Sequence, residues 1–135
     1  MSPTEPDLEA LLAAARSASA SAYCPYSNFH VGAAILAGGR VFTGANIENA
    51  SYGLTICAER TAAFAAVLAG AGPIEAIAVA CVDAPEGGDP ASLMPCGACR
   101  QVLAEFARPE TPVIIDRAGV FRLEELLPRA FRLGN

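Results

Sequence analysis

Two short cysteine motifs constrain this chain most, because they can share one metal ion only if the fold brings them together. The first is Cys57-Ala58-Glu59, and the second is Pro95-Cys96-Gly97-Ala98-Cys99. Three thiolates can hold a zinc ion and leave its fourth position open for water. Glu59 lies close to the first thiolate, where a carboxylate can move the proton of that water. The motifs therefore predict a catalytic, hydrolytic zinc site with Cys57, Cys96 and Cys99 as ligands.

Other uses of the cysteines have less support. A CxxC pair also fits a redox dithiol, but this one lacks the aromatic-Cys start of thioredoxin-like motifs. A closed structural zinc site would need a fourth protein ligand, for which Cys24 is the best candidate. His30 is the only histidine, and beside Phe29 it is more typical of a packed or solvated side chain. Otherwise Cys24 and Cys81 are expected to be buried packing residues.

Composition narrows the class of protein. A chain of 135 residues is long enough for one domain, expected over residues 1–135. Apolar residues make up 53% and charged residues 17%, which is typical of a globular protein. A net charge of -5 argues against a nucleic-acid partner. No run reaches the roughly 18 apolar residues of a membrane span, and the start is acidic, so we expect a cytoplasmic protein without a membrane partner.

The spacing of apolar and turn residues predicts an α/β fold with one mixed five-stranded sheet flanked by helices. Gly38-Gly39 marks a hairpin between the first two strands. The connection 116–119 is too short for a helical crossover, so the last two strands should be antiparallel. The predicted helices cover 5–21, 58–68, 99–107 and 124–128, and the predicted strands cover 29–36, 40–45, 74–82, 113–115 and 120–123.

The predicted helices place the cysteines at helix starts, where free N–H groups and the helix dipole favour thiolate over thiol. Three thiolates and one Zn²⁺ sum to a charge of -1, which would weaken the metal's effect on bound water. Arg60 is placed to donate to a thiolate and offset this charge. A plain surface arginine is an equally good interpretation of Arg60 from sequence alone.

Six motifs in order resemble the cytidine deaminases of the short, free-nucleoside type, over nearly the whole chain. The position of Cys57 carries histidine in the polynucleotide deaminases, so its cysteine favours the free-nucleoside branch. The matching segments are Pro25-Tyr26-Ser27, Phe29 with Val31-Gly32-Ala33-Ala34, Gly44 with Asn46-Ile47-Glu48-Asn49, Cys57-Ala58-Glu59-Arg60-Thr61-Ala62, Pro95-Cys96-Gly97-Ala98-Cys99-Arg100-Gln101 and Glu125-Leu126-Leu127-Pro128.

The resemblance implies a hydrolase that converts cytidine and 2′-deoxycytidine to uridine and 2′-deoxyuridine plus ammonia, in pyrimidine salvage. One zinc ion per chain would be held by Cys57, Cys96 and Cys99. A zinc-bound hydroxide would attack C4 of the base, while Glu59 shuttles a proton to N3 and then to the departing amine.

The resemblance also implies contacts to the rest of the substrate. The backbone N–H of Ala58 would contact the base carbonyl, Phe29 would pack on the substrate, and Asn46 and Glu48 would bond the sugar hydroxyls. A site built to bond a hydroxyl rejects analogues that lack it, so free cytosine should be a poor substrate. From the residues alone, Asn46 and Glu48 would be a solvated loop turn.

Similar enzymes are homotetramers in which a C-terminal aromatic side chain reaches a neighbouring subunit's site. Phe131 resembles that aromatic residue, and Tyr52 is a candidate for the subunit interface. A plain hydrophobic anchor is an equally good interpretation of Phe131.

Two alternative functions stay open: a deaminase of a modified cytosine nucleoside (blasticidin-type), which differs at the loop 46–49, and a non-catalytic zinc-stabilised binding module, which has no need of Glu59.

Overall fold

A five-stranded mixed sheet forms the centre of the computed structural model, which describes residues 6–134. The strands follow the order β2-β1-β3-β4-β5; β3 and β4 are parallel, and the other neighbouring pairs are antiparallel. This confirms the predicted fold class, including the antiparallel last pair. The strands are β1 (Val31–Ala37), β2 (Arg40–Ala45), β3 (Ile74–Cys81), β4 (Pro112–Ile115) and β5 (Gly119–Arg122), and the helices are α1 (Leu8–Ala18), α2 (Ala58–Leu68), α3 (Gly97–Phe106) and α4 (Leu123–Leu126).

The helices cover both faces of the sheet because side chains alternate along each strand. On β3, Ile77 and Val79 join the cluster of α2 and α3, whereas Ala76, Ala78 and Ala80 join the cluster of α1. Within residues 6–134, no helix is both long and apolar enough to cross a membrane.

Helix α2 lies unusually close to β2 because both surfaces carry small residues. A Cβ on Gly44 would lie 2.4 Å from the backbone nitrogen of Ala62 and 2.6 Å from the carbonyl oxygen of Ala58. The Thr61 hydroxyl also donates to the Ala45 carbonyl at 3.0 Å. These contacts fix the first turn of α2 against the end of β2.

The direction of the strands brings two helix starts together. Strands β2 and β3 are both antiparallel to β1, which lies between them, so they run the same way. Helix α2 follows β2 in the chain, and α3 follows β3. Both helices therefore begin at the same edge of the sheet, as the paired cysteine motifs require.

Some element bounds differ from the sequence prediction for local reasons. Helix α1 begins at Leu8 because the Asp7 side chain accepts the Ala10 N–H and caps it; the predicted start at residue 5 lies outside the described residues. Helix α3 begins two residues before the predicted start, because the Cys96 side chain is the cap and accepts from the Cys99 N–H. Strand β1 begins at Val31, two residues late, because the Asn46 side chain bonds the backbone of residues 29 and 31.

Candidate active site

Three sulfur atoms meet at the starts of α2 and α3. Cys57 occupies the N-cap position of α2 without a side-chain capping bond, Cys96 caps α3, and Cys99 lies in the first turn of α3. The Sγ atoms of Cys57 and Cys96 are 3.8 Å apart, those of Cys96 and Cys99 are 3.1 Å apart, and all three lie within 4.8 Å of one another. Tetrahedral zinc with Zn–S bonds of about 2.3 Å needs sulfur atoms about 3.8 Å apart. The three sulfurs are thus close to a zinc-binding arrangement.

A fourth protein ligand does not join this group among the described residues. The potential ligands that cluster there are Cys57, Cys96 and Cys99, and Cys24 and His30 lie outside the cluster. Cys24 is buried elsewhere, and His30 contacts Asp83 instead. The closed structural site that would recruit Cys24 is therefore not formed, and a bound ion would keep an open position.

Positive charge and hydrogen bonds favour thiolate at Cys57. The neighbouring Cys99 thiol lowers the pKa of Cys57 most, and Arg60 and Cys96 add to the effect, so that the pKa falls to about 5 despite partial burial. The Arg60 guanidinium donates to the Cys57 sulfur through Nη2 at 3.5 Å. The bond to Cys57 and burial raise the pKa of Cys99. The Arg60 guanidinium thus lies against the Cys57 sulfur.

Glu59 is buried in the first turn of α2, with 4% of its surface exposed. Burial raises the pKa of its carboxyl to about 7, and the negative charge of Cys57 adds to the rise. A carboxyl group with such a pKa exchanges its proton readily near neutral pH. It can therefore both accept and donate a proton beside the three sulfurs.

A cleft of about 220 Å³ opens onto this centre. Six predicted site residues line it: Phe29, Asn46, Cys57, Ala58, Glu59 and Cys96. Cys99 is fully buried behind the cleft, on the metal-binding side. The fold therefore gathers the metal ligands, the carboxylate and three of the substrate-binding candidates in one concave site.

Asn46 and Glu48 are buried, and their side chains hold the backbone of a neighbouring segment. The Asn46 amide accepts from the Val31 N–H at 2.9 Å and donates to the Phe29 carbonyl at 2.7 Å. The Glu48 carboxylate accepts from the Ser27 N–H and from the Ser27 hydroxyl, and the hydroxyl bond lowers its pKa most, against the effect of burial. These residues thus shape the wall that carries Phe29, and Glu48 lies outside the cleft lining.

Phe131 and Tyr52 lie on the surface of the described chain. Phe131 is 69% exposed, and only its carbonyl is fixed, by a bond from Gln101. Tyr52 is exposed in a short turn after the Asn46–Asn49 loop. Neither side chain lines the cleft of its own chain.

The sequence reasoning missed part of the cleft lining. Cys81, predicted as a packing residue, is 7% exposed and lines the cleft, and burial raises the pKa of its thiol to about 11. Ser92 and Met94, in the predicted loop before Cys96, line it as well. Their places in the chain could have indicated this role. Cys81 ends β3, and Ser92 and Met94 come just before the ligand Cys96, so all three lie at the edge of the sheet where α2 and α3 begin.

Residues 5–115 match the family model described as the cytidine and deoxycytidylate deaminase zinc-binding region. The chain belongs to the cytidine deaminase family. It is 51% identical over 130 residues to a cytidine deaminase of Sporosarcina psychrophila, covering 93% of this chain and 91% of that protein. It is 50% identical over 123 residues to a cytidine deaminase of Mycobacterium tuberculosis, covering 90% and 86%.

Solved cytidine deaminase structures share the fold. The crystal structure from Mycobacterium tuberculosis superposes with a TM-score of 0.81 at 44% identity, covering 96% of this chain and all of that chain. The structure from Burkholderia pseudomallei gives a TM-score of 0.80 at 47% identity, covering 91% and 98%. The matched zinc-binding region and the three-cysteine cluster fit one Zn²⁺ per chain, and the chain is an enzyme of this family.

Proposed function

We propose that this enzyme hydrolyses cytidine and 2′-deoxycytidine to uridine and 2′-deoxyuridine plus ammonia, serving pyrimidine salvage. Family membership and the three-cysteine cluster support zinc-dependent cytidine deamination. The observation that carries the proposal is the buried carboxyl of Glu59 in the same cleft as the ligand sulfurs. The free cysteines of the described chain fit a reducing, cytoplasmic compartment. We also propose that residues 1–135 form a single domain.

In the proposed reaction, bound zinc supplies Lewis-acid activation of a water molecule at neutral pH. Cys57, Cys96 and Cys99 would hold the ion, and Arg60 would offset the charge of the thiolates. Glu59 takes one proton from the water and delivers it to N3 of the cytosine ring. After the oxygen has added to C4, Glu59 takes the second proton of that oxygen and donates it to the amine, which leaves as ammonia. A buried carboxyl suits this shuttle because bulk water does not compete for its proton.

The remaining residues bind and orient the substrate. The first N–H groups of a helix are free donors, so the Ala58 N–H is suited to the base carbonyl. Phe29 offers an aromatic surface for the ring. We assign the sugar hydroxyls to Asn46, which lines the cleft, and to Glu48, which lies outside its lining. Both keep spare lone pairs, and Asn46 keeps a spare N–H, after the bonds that they already make. Neighbouring subunits of a homotetramer would complete each site through Phe131.

Turnover of cytidine by purified, zinc-loaded protein, followed as ammonia release, tests the proposal directly. Free cytosine and 2′-deoxycytidine run alongside, and a chelator-treated sample serves as the metal control. We expect release from both nucleosides, little from cytosine, and loss of activity without zinc. A protein that holds one zinc per chain and releases ammonia from neither nucleoside would contradict the proposal, and a modified cytosine nucleoside would be assayed next.

A further inference from the structure

The cleft has two walls that come from adjacent strands. One wall is the start of β1, where Phe29 and Val31 line the cleft. The other is the end of β3 and the loop behind it, where Cys81 and Met94 line the cleft. The β1–β3 ladder ends at this edge with Val31 opposite Cys81. Phe29 therefore lies beyond the last ladder pair, where the ends of paired strands separate most easily.

A polar contact continues the connection between the walls past the end of the ladder. One oxygen of Asp83, Oδ2, accepts the backbone N–H of His30 at 2.8 Å and lies 2.6 Å from His30 Nδ1. The bonds from His30 lower the pKa of Asp83, so this carboxylate is ionised at neutral pH and Nδ1 carries the proton of the shorter bond. We call this pair of bonds the His30–Asp83 clasp.

The partners of the clasp are themselves fixed on the far side of each wall. The Asn46 side chain holds the backbone on both sides of His30. Arg117 donates to the Cys81 carbonyl at 2.8 Å and to the Ala84 carbonyl at 3.0 Å, before and after Asp83 in the chain. The clasp thus joins two segments that other bonds already anchor. Losing it would therefore change the distance between the two walls at the cleft mouth, while each segment would stay folded.

We propose that His30 and Asp83 are positioning residues that hold Phe29 at the cleft and thereby set the KM for the nucleoside. Neither residue lines the cleft, so they act through the wall and not by touching the substrate. This inference rests on the proposed function, because it assigns Phe29 to the substrate. Its expected signature is a change in KM with little change in kcat, since Phe29 contributes to binding and not to proton transfer.

Steady-state kinetics on a graded set of variants test the proposal. Asp83→Ala removes both bonds to a charged acceptor and should raise KM by about tenfold. His30→Ala keeps the backbone bond and should raise KM by about threefold, as expected for a half-exposed pair. His30→Asn should restore the parent KM, because its Nδ2 occupies the position of the histidine Nδ1. Arg16→Ala is the matched control, since it breaks the Arg16–Asp116 ion pair at 2.8 Å and leaves both bonds between His30 and Asp83 in place.

Hydrogen exchange provides a readout that is independent of turnover. The His30 amide should exchange faster in Asp83→Ala than in the parent, and at the parent rate in Arg16→Ala. Unchanged exchange in Asp83→Ala, or an unchanged KM in both Asp83→Ala and His30→Ala, would overturn the proposal; so would a kcat that falls as far as KM rises. If the parent protein does not deaminate cytidine, the proposed function fails. Exchange of the His30 amide still tests the clasp separately: faster exchange in Asp83→Ala supports it, and unchanged exchange contradicts it.

Discussion

The carboxyl of Glu59 is the group on which the proposed chemistry depends most at the scale of single residues. Replacing it by glutamine keeps its size and its buried position but removes the ability to shuttle a proton. We expect Glu59→Gln to lower kcat by about 10²- to 10⁴-fold, as for the loss of a general acid–base. Metal analysis should still find one zinc per chain. A variant that retains near-parental kcat would contradict the assigned role.

Arg60 offers a separate test of how the thiolates are stabilised. Its guanidinium lies 3.5 Å from the Cys57 sulfur. We expect Arg60→Ala to weaken zinc retention by about 10- to 100-fold, as for other groups that bond a metal ligand. Zinc content after dialysis against a graded chelator measures this. Arg40→Ala is the control, because Arg40 stacks on the Phe42 ring instead. Equal zinc loss in the two variants would show that Arg60 is a plain surface residue and does not stabilise the Cys57 thiolate.

At this scale the sequence was informative where chemistry depends on local spacing. The motif around Cys57 and Glu59 could be interpreted directly, since ligand and carboxylate share one helix turn. The bonds of Asn46 to the backbone of residues 31 and 29 could not be predicted, because these residues are 15 and 17 positions away in the chain and only the fold brings them together. Cys81 was assigned to packing for the same reason: burial was predictable from its strand, but its neighbours across the cleft were not.

Among the elements, α2 determines where both Cys57 and Glu59 lie. Its first turn can approach β2 only because Gly44 has no side chain. We expect Gly44→Ala to lower the free energy of unfolding by about 1–3 kcal/mol through overpacking, and to lower zinc content by shifting α2. Urea unfolding and metal analysis measure the two effects.

Gly53→Ala is the matched control for that experiment. A Cβ on Gly53 would meet no heavy atom within 4 Å. It should leave zinc content unchanged. If Gly44→Ala were as stable as Gly53→Ala and held as much zinc, the close contact between α2 and β2 would not be what positions the site.

Element type was predictable from sequence, and element ends were less so. The predicted bounds of α2 and β2 agree with the structure, because alanine-rich and β-branched runs end at clear turn residues. The start of α3 was placed too late because a cysteine side chain caps that helix. A thiol is not among the side chains that ordinarily signal a helix start.

For the whole molecule, the exposed Phe131 is the residue that tests assembly. We expect Phe131→Ala to lower kcat/KM by about tenfold, as for an aromatic anchor. Refolding it together with Glu59→Gln should recover activity, because the inactive subunits would supply Phe131 to intact centres in their neighbours. Leu133→Ala, also exposed, is the control and should stay active alone. Mixtures no more active than Phe131→Ala alone would contradict the assignment of Phe131 to a neighbouring subunit's site.

The separation of the ligand cysteines along the chain has a consequence for how the enzyme is made. Cys96 and Cys99 are three residues apart, whereas Cys57 is 39 residues from Cys96. A chain that is still unfolded can offer zinc only the close pair, because closing the long loop costs entropy. In the folded chain the third thiolate lies beside the close pair, because β3 is paired with β1 and both helices start at one edge. We therefore expect tight metal capture to follow formation of the scaffold, so that the chain gains its reactive centre last.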